Sequence, residues 1–149
     1  MSPVAFLDTN IPIYASGQAH EYKAPCLRIM SMAARDPRPF MTDVEVLQEL
    51  MHRYRSSGRW TLGRDVLRAF AEVMENHIEP VQVPDIGGAA TLADDYPEVG
   101  ARDLLHAAVM RRLGIERIIS ADRDFDRLPG IVRLDPAGVD EWENSIHPG

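Results

Sequence analysis

Residues 4–10 read Val-Ala-Phe-Leu-Asp-Thr-Asn, an apolar run that stops at Asp8. A second run, Ile118-Ile119-Ser120-Ala121-Asp122, has the same form. Short apolar runs without polar alternation are expected of strands buried on both faces of a parallel sheet. In such sheets ligands bind just beyond the carboxyl ends of the strands, where strand order switches. Asp8 and Asp122 are therefore expected to meet there, although they lie far apart in sequence. Converging carboxylates repel unless one is protonated or a cation sits between them. The pair points to a divalent metal site.

The rest of the chain supports that frame. Further strands are expected at Pro39–Met41, Ile78–Val83 and Ile131–Leu134, with Val4–Leu7 and Arg117–Ser120 as the two already introduced. Helical periodicity fills the intervals, so the fold class is α/β, with a central, mostly parallel sheet of about five strands flanked by helices. A short helix follows Asp8, with Asn10 as its expected cap and Pro12 in its first turn. Others are expected over Ala24–Arg35, from a Thr42-Asp43-Val44-Glu45 capping box to Arg55, and over Asp85–Asp95 and Ala101–Leu113, with a short polar one near Val139–Asn144. Leu62, Val66, Leu67, Phe70, Val73 and Met74 mark one face of the most regular amphipathic segment.

The 149 residues fit one domain spanning 1–149, with 45% hydrophobic and 26% charged residues, the balance of an ordinary globular protein. Cys26 is the sole cysteine, which rules out an internal disulfide and a thiolate zinc site. A reducing cytoplasm is the expected compartment. No basic leader precedes the first strand, and no apolar run approaches the roughly 18 residues of a membrane span. The net charge of −7 argues against a general nucleic-acid binder. All but one of the basic residues are arginine, Lys23 being the exception. Arg53, Arg55, Arg59, Arg64 and Arg68 concentrate around one helix–turn–helix, and Arg111 and Arg112 end another helix. Either group suits phosphates or an acidic partner.

Other chemistries lack their motifs. No glycine-rich phosphate loop follows either strand, and no serine sits in a nucleophile elbow. Asp122, Asp124 and Asp126 form D-x-D-x-D, but a calcium loop needs Gly at its sixth place and Glu at its twelfth, where this chain has Arg127 and Arg133. His106, three residues after Asp103, reads as a surface or partly buried structural histidine. Asp103 falls in the first turn of its helix, where the dipole favours acids regardless of function. Glu45 and Glu49 share one polar helix face, and periodicity does not choose between them. Asp124 reads as a solvated turn residue.

Phe6-Leu7-Asp8-Thr9-Asn10, the block Asp103-Leu104-Leu105-His106-Ala107-Ala108, and the stretch from Ile119 through Asp122 to Gly130 resemble a PIN domain, and within that family the VapC toxins of toxin–antitoxin pairs. Val46-Leu47-Gln48-Glu49-Leu50 is a looser match, and it is the resemblance that selects Glu49 over Glu45. Ser120 stands where many relatives carry threonine. The resemblance implies a metal-dependent endoribonuclease, usually a homodimer, restrained by a cognate antitoxin. It implies Asp8, Glu49, Asp103 and Asp122 as catalytic residues and ligands of Mg²⁺ or Mn²⁺. Asp126 would add a ligand from the edge, and Thr9, Asn10 and Ser120 would support the cluster. The alternatives are an inactive PIN-like interaction module and a metal-dependent nuclease without a toxin role.

Overall fold

The computed structural model describes residues 3–147. Its centre is a five-stranded, wholly parallel sheet of β1 (Ala5–Leu7), β2 (Phe40–Asp43), β3 (Ile78–Glu79), β4 (Arg117–Ile119) and β5 (Val132–Leu134), in the order β3-β2-β1-β4-β5. Around it lie α1 (Asn10–Ser16), α2 (Lys23–Arg35), α3 (Val44–Ser56), α4 (Trp60–Val73), α5 (Val83–Asp95), α6 (Ala101–Leu113) and α7 (Val139–Ile146). From β1 the chain builds outward through β2 to β3, then crosses to the other side of β1 for β4 and β5. The switch point therefore lies between β1 and β4.

That topology explains the two apolar runs. Phe6, Leu7, Ile118 and Ile119 are fully buried, as a strand covered by helices on both faces requires. Leu7 pairs with Ile119, and the Asp8 N–H donates to the Ile119 carbonyl at 3.2 Å. One residue further on, both chains leave the sheet at its carboxyl edge, with Asp8 next to Ser120.

Several local readings need correction. Thr42 does not cap α3; it belongs to β2, and its hydroxyl donates to the Leu7 carbonyl at 3.0 Å, tying β2 to β1. The cap is Asp43, whose Oδ1 accepts from the Val46 N–H at 3.0 Å. Asn10 is the first residue of α1 and not its cap; its side chain is engaged elsewhere. β3 stops at Glu79, before Pro80, and α5 starts earlier than expected, at Val83, with the Asp85 carboxylate accepting from the Gln82 N–H. α7 is not simply polar. It buries Val139, Trp142 and Ile146, and Arg28 pairs its Asp140 and Glu143.

α3 and α4 pack unusually closely. A Cβ added at Gly63 on α4 would fall 2.2 Å from the Tyr54 Cβ on α3. No other side chain fits that crossing.

Candidate metal centre

One cleft of about 370 Å³ opens at the carboxyl edge of the sheet, lined by Glu49 of α3, by Gly100, Ala101, Arg102 and Asp103 at the start of α6, and by Asp122 beyond β4. Two groups of oxygen and nitrogen donors meet there. Asp8, Glu49 and His106 form a buried group, and Asp103, Asp122 and Asp124 a half-exposed one; within each, potential ligand atoms lie within 4.8 Å of one another.

Asp8 is the best-anchored acid. Its Oδ1 accepts from the Thr9 N–H at 2.8 Å, and its Oδ2 from the Ser120 hydroxyl at 2.6 Å and the Asn10 amide at 3.2 Å. The Ser120 oxygen in turn accepts from Asn10 Nδ2 and from the Asp122 N–H, both at 3.0 Å. Asn10 Oδ1 accepts from the Ala121 N–H at 3.2 Å. The ends of β1 and β4 are thus stitched together by side chains the sequence placed there. Burial pushes the Asp8 carboxyl up, against the pull of His106 and of the Ser120 and Thr9 hydrogen bonds.

Glu49 reaches this group from the second turn of α3. The Thr9 hydroxyl donates to its Oε1 at 2.9 Å, and Arg53 lies 3.7 Å from its Oε2. Burial would raise its carboxyl, but the nearby His106, the Thr9 hydrogen bond and the charge of Arg53 outweigh that and hold it low. Glu45 instead pairs with Arg102 at 3.4 Å. The geometry thus separates two glutamates that periodicity could not.

Asp103 has the opposite balance. Burial, hydrogen bonding to Asp122 and the charges of Asp8 and Asp122 push it up to about 8. The helix dipole at its position in the first turn of α6 does not offset that crowding. Asp122 caps the following 3₁₀ turn, Arg123–Arg127, by accepting from the Asp124 N–H at 2.9 Å. That turn brings in Asp124, which was expected to be a solvated turn residue, and aims Asp126 elsewhere. Asp126, expected as an edge ligand, is clamped by Arg133 at 3.1 and 3.2 Å and joins neither donor group.

Two residues escaped the sequence reading. His106 is completely buried and its Nδ1 lies 2.8 Å from Asp43 Oδ2. Burial disfavours its imidazolium, but Asp43, Glu49 and Asp8 carry it well above the ordinary histidine range. Asp43 ends a strand just as Asp8 does, a signal hidden by reading Thr42 as the cap. Among the expected phosphate-binding arginines, Arg112 is spent within the fold on Asp85, Glu79 and the Pro80 carbonyl, and Arg111 on the Pro129 carbonyl. Arg59 lies over the Tyr54 ring.

Chemically, the site is a set of hard oxygen donors in excess of nearby cations. That donor set fits a divalent metal ion better than it fits any arrangement without one.

The family described as PIN domain matches residues 5–131. Ribonuclease VapC13 of Mycobacterium tuberculosis is 37% identical over 128 residues, covering 86% of this chain and 97% of that protein. Ribonuclease VapC23 of the same organism is 34% identical over 117 residues, covering 78% and 91%. Among solved structures, M. tuberculosis VapC20, described as a sarcin–ricin loop cleaving toxin, superposes with a TM-score of 0.68 at 22% identity, covering 87% of this chain and 98% of that one. VapBC2 from Rickettsia felis, bound to a DNA fragment from its promoter, gives 0.68 at 18% identity, covering 88% and 97%. These structural likenesses carry the fold.

Proposed function

The chain belongs to the PIN-domain family, and from that premise we propose that it is a metal-dependent endoribonuclease, the toxin of a VapBC-type toxin–antitoxin pair, acting in the cytoplasm. The observation that carries this reading is the convergence of Glu49, Asp103 and Asp122 on one open cleft, with Asp8 buried close behind them. A decayed interaction module would have no reason to keep that costly crowding.

In this reading Asp103, Asp122 and Asp124 hold Mg²⁺ or Mn²⁺, and Asp8 and Glu49 offer a second set of donors beside them. A bound divalent ion supplies charge neutralisation at the phosphate and a more acidic water. The chain does the rest. Ser120, Asn10 and the Thr9 N–H fix both Asp8 oxygens in place. Glu49, held ionised, offers Oε2 to orient the attacking water and accept its proton. Arg53, half-exposed beside Glu49, is placed to grip a neighbouring phosphate.

The test is RNA cleavage by purified protein with Mg²⁺ or Mn²⁺ and with chelator, against Asp8→Asn and Asp122→Asn. Loss of cleavage with chelator and in both variants is expected. Cleavage unchanged in the variants would sink the assigned site. For the toxin role, expression alone should arrest growth, and co-expression with the adjacent small reading frame should restore it.

The proposal includes two protein partners. The antitoxin draws support from the toxin–antitoxin assemblies among the structural neighbours. A homodimer draws support from an open groove of about 470 Å³ lined by Ile86, Ala89, Ala93, Val99, Leu104 and Leu105. Light scattering of the purified chain, with Ile86→Glu as the disrupting variant, decides it. A monomeric wild type would end that part of the reading.

A further inference from the structure

His106 is fully buried, yet its Nε2 makes no hydrogen bond. A buried polar atom without a partner costs free energy of its own. The atom is not aimed at an apolar wall. It faces Asp8 Oδ1 at 3.9 Å and Glu49 Oε1 at 4.0 Å, too far for a hydrogen bond and close enough for a shared ion. We propose that His106 Nε2 is a nitrogen ligand of a metal ion held with Asp8 and Glu49, which biases this seat toward a first-row transition-metal dication over Mg²⁺. The inference rests on the ion-dependent reading above and deepens it.

The other ring nitrogen supports the assignment. Asp43 Oδ1 already accepts from the Val46 N–H, and its Oδ2 faces His106 Nδ1 at 2.8 Å. A carboxylate there accepts a hydrogen bond from Nδ1–H and leaves Nε2 as the coordinating atom. Metal-bound histidines are oriented in this way by a carboxylate behind them. Asp43 is completely buried and its cap on α3 fixes it, so the imidazole has little freedom to turn away. The Phe6 ring lies against its face, with ring centroids 5.3 Å apart.

The dimensions fit after a small contraction. Bonds of about 2.1 Å place neighbouring ligands about 3 Å apart in an octahedron and about 3.4 Å apart in a tetrahedron. The Glu49 side chain, partly exposed and entering from a helix of its own, closes its 4.0 Å separation by about 1 Å or less, and the 3.9 Å between His106 and Asp8 is already spanned by two such bonds at a wider angle. Coordination replaces any proton on Nε2, which leaves to solvent. The second donor group, Asp103, Asp122 and Asp124, is all oxygen and half-exposed, the kind of seat a hard ion such as Mg²⁺ prefers. The two groups therefore differ in chemistry: imidazole nitrogen favours the transition metals.

The test uses the whole protein and reads binding, not cleavage. Titration calorimetry compares Mn²⁺ with Mg²⁺ on wild type and His106→Gln. Wild type should prefer Mn²⁺ by about tenfold or more, and the variant should bring the two within about threefold. Because His106→Gln disturbs a buried site, a second measurement stands apart from it. Spin-echo modulation of Mn²⁺ bound to wild type should show a directly coordinated nitrogen, and that signal should change when histidine carries the heavy nitrogen isotope. His106 is the one histidine in either donor group among the described residues, so the source is unambiguous. Mn²⁺ bound without nitrogen coupling overturns this inference and leaves the nuclease reading standing. Failure of both ions to bind overturns both.

Discussion

Replacing Ser120 with alanine should cost more than any other single hydroxyl removed from this fold. Ser120 is fully buried, and its oxygen serves three partners at once. It donates to Asp8 Oδ2 at 2.6 Å and accepts from Asn10 Nδ2 and the Asp122 N–H, both at 3.0 Å. The bond to Asp8 is charge-assisted, and the Asp122 N–H is left without a partner when the hydroxyl goes. Asn10 keeps its own bond to Asp8, at 3.2 Å, so part of the network survives. Summing one charged bond and two neutral ones, less that residue of support, gives about 2–3 kcal/mol. For a chain of this length that corresponds to a fall in melting temperature of about 4–12 °C. Urea unfolding followed by the fluorescence of Trp60 and Trp142 measures it, with the slope expected to stay unchanged. Ser120→Thr retains the hydroxyl and should recover most of the loss. If the proposed ion site is correct, Ser120→Ala should also weaken Mn²⁺ binding by about 10–100-fold, the usual effect of removing a group that orients a ligand. A Ser120→Ala midpoint within error of wild type, or a Ser120→Thr variant as damaged as the alanine, would refute the claim that this hydroxyl joins β1 to β4.

Five further outcomes follow from the same structure. Gly63→Ala should destabilise by about 2 kcal/mol or more despite alanine's better helix propensity, because its Cβ would overlap Tyr54. Gly87→Ala on α5, where a Cβ meets nothing within 4 Å, should instead stabilise by about 0.5–1 kcal/mol in the same denaturation assay. Arg112 and the Gln82 N–H hold the Asp85 carboxyl below its ordinary 3.8. Its contribution is complete above that value and is lost as acid carries the pH down through the lower folded value, so Asp85→Asn should flatten the acid limb of the stability–pH curve. Burial pushes the Cys26 thiol up to about 12, so native protein should resist a thiol reagent at neutral pH and react on unfolding, as absorbance would record. Millimolar Mg²⁺ or Mn²⁺ should raise the melting temperature, by about 2.7 kcal/mol of added stability at a hundredfold excess over Kd, and Asp8→Asn should abolish most of that shift.

How much of this was legible in the sequence depends on where each signal resided. The strands of the sheet centre were readable because they are covered on both faces, and continuous burial writes continuous apolarity into the chain. Asp8 and Asp122 were readable for the same reason: an acid that ends such a run marks the sheet edge. β3 was overextended and the polarity of α7 misjudged because both lie at the periphery, where side chains answer to a few tertiary contacts and not to a period. Asn10 illustrates a different failure. Its identity suits a helix cap, and only the approach of β4 reveals that its amide is spent on Asp8, Ser120 and Ala121.

The case of Glu45 and Glu49 shows why a cluster of this kind resists sequence reasoning. Along α3 the two are equivalent, one turn apart on one face. What separates them is the hydroxyl of Thr9 on another element and the Arg102 side chain on a third. The same holds for Asp124 and Asp126, two residues apart in a short turn. The chain direction after Asp122 sends one toward Asp103 and the other to Arg133. Electrostatics magnifies such small displacements, since the interaction of two charges in a poorly solvated cleft changes by kcal/mol over an ångström or two. Composition gives the number of acids, and periodicity gives the face of each. Which acids crowd together is decided by the crossing of separate elements, and His106 marks the point where three of those crossings meet. The imidazole on α6 bridges the cap of α3, the end of β1 and the glutamate one turn deeper in α3. A histidine in that position compensates the acids electrostatically while the cleft is free of metal and offers them a shared ligand when an ion enters, so a single residue serves both states of the site.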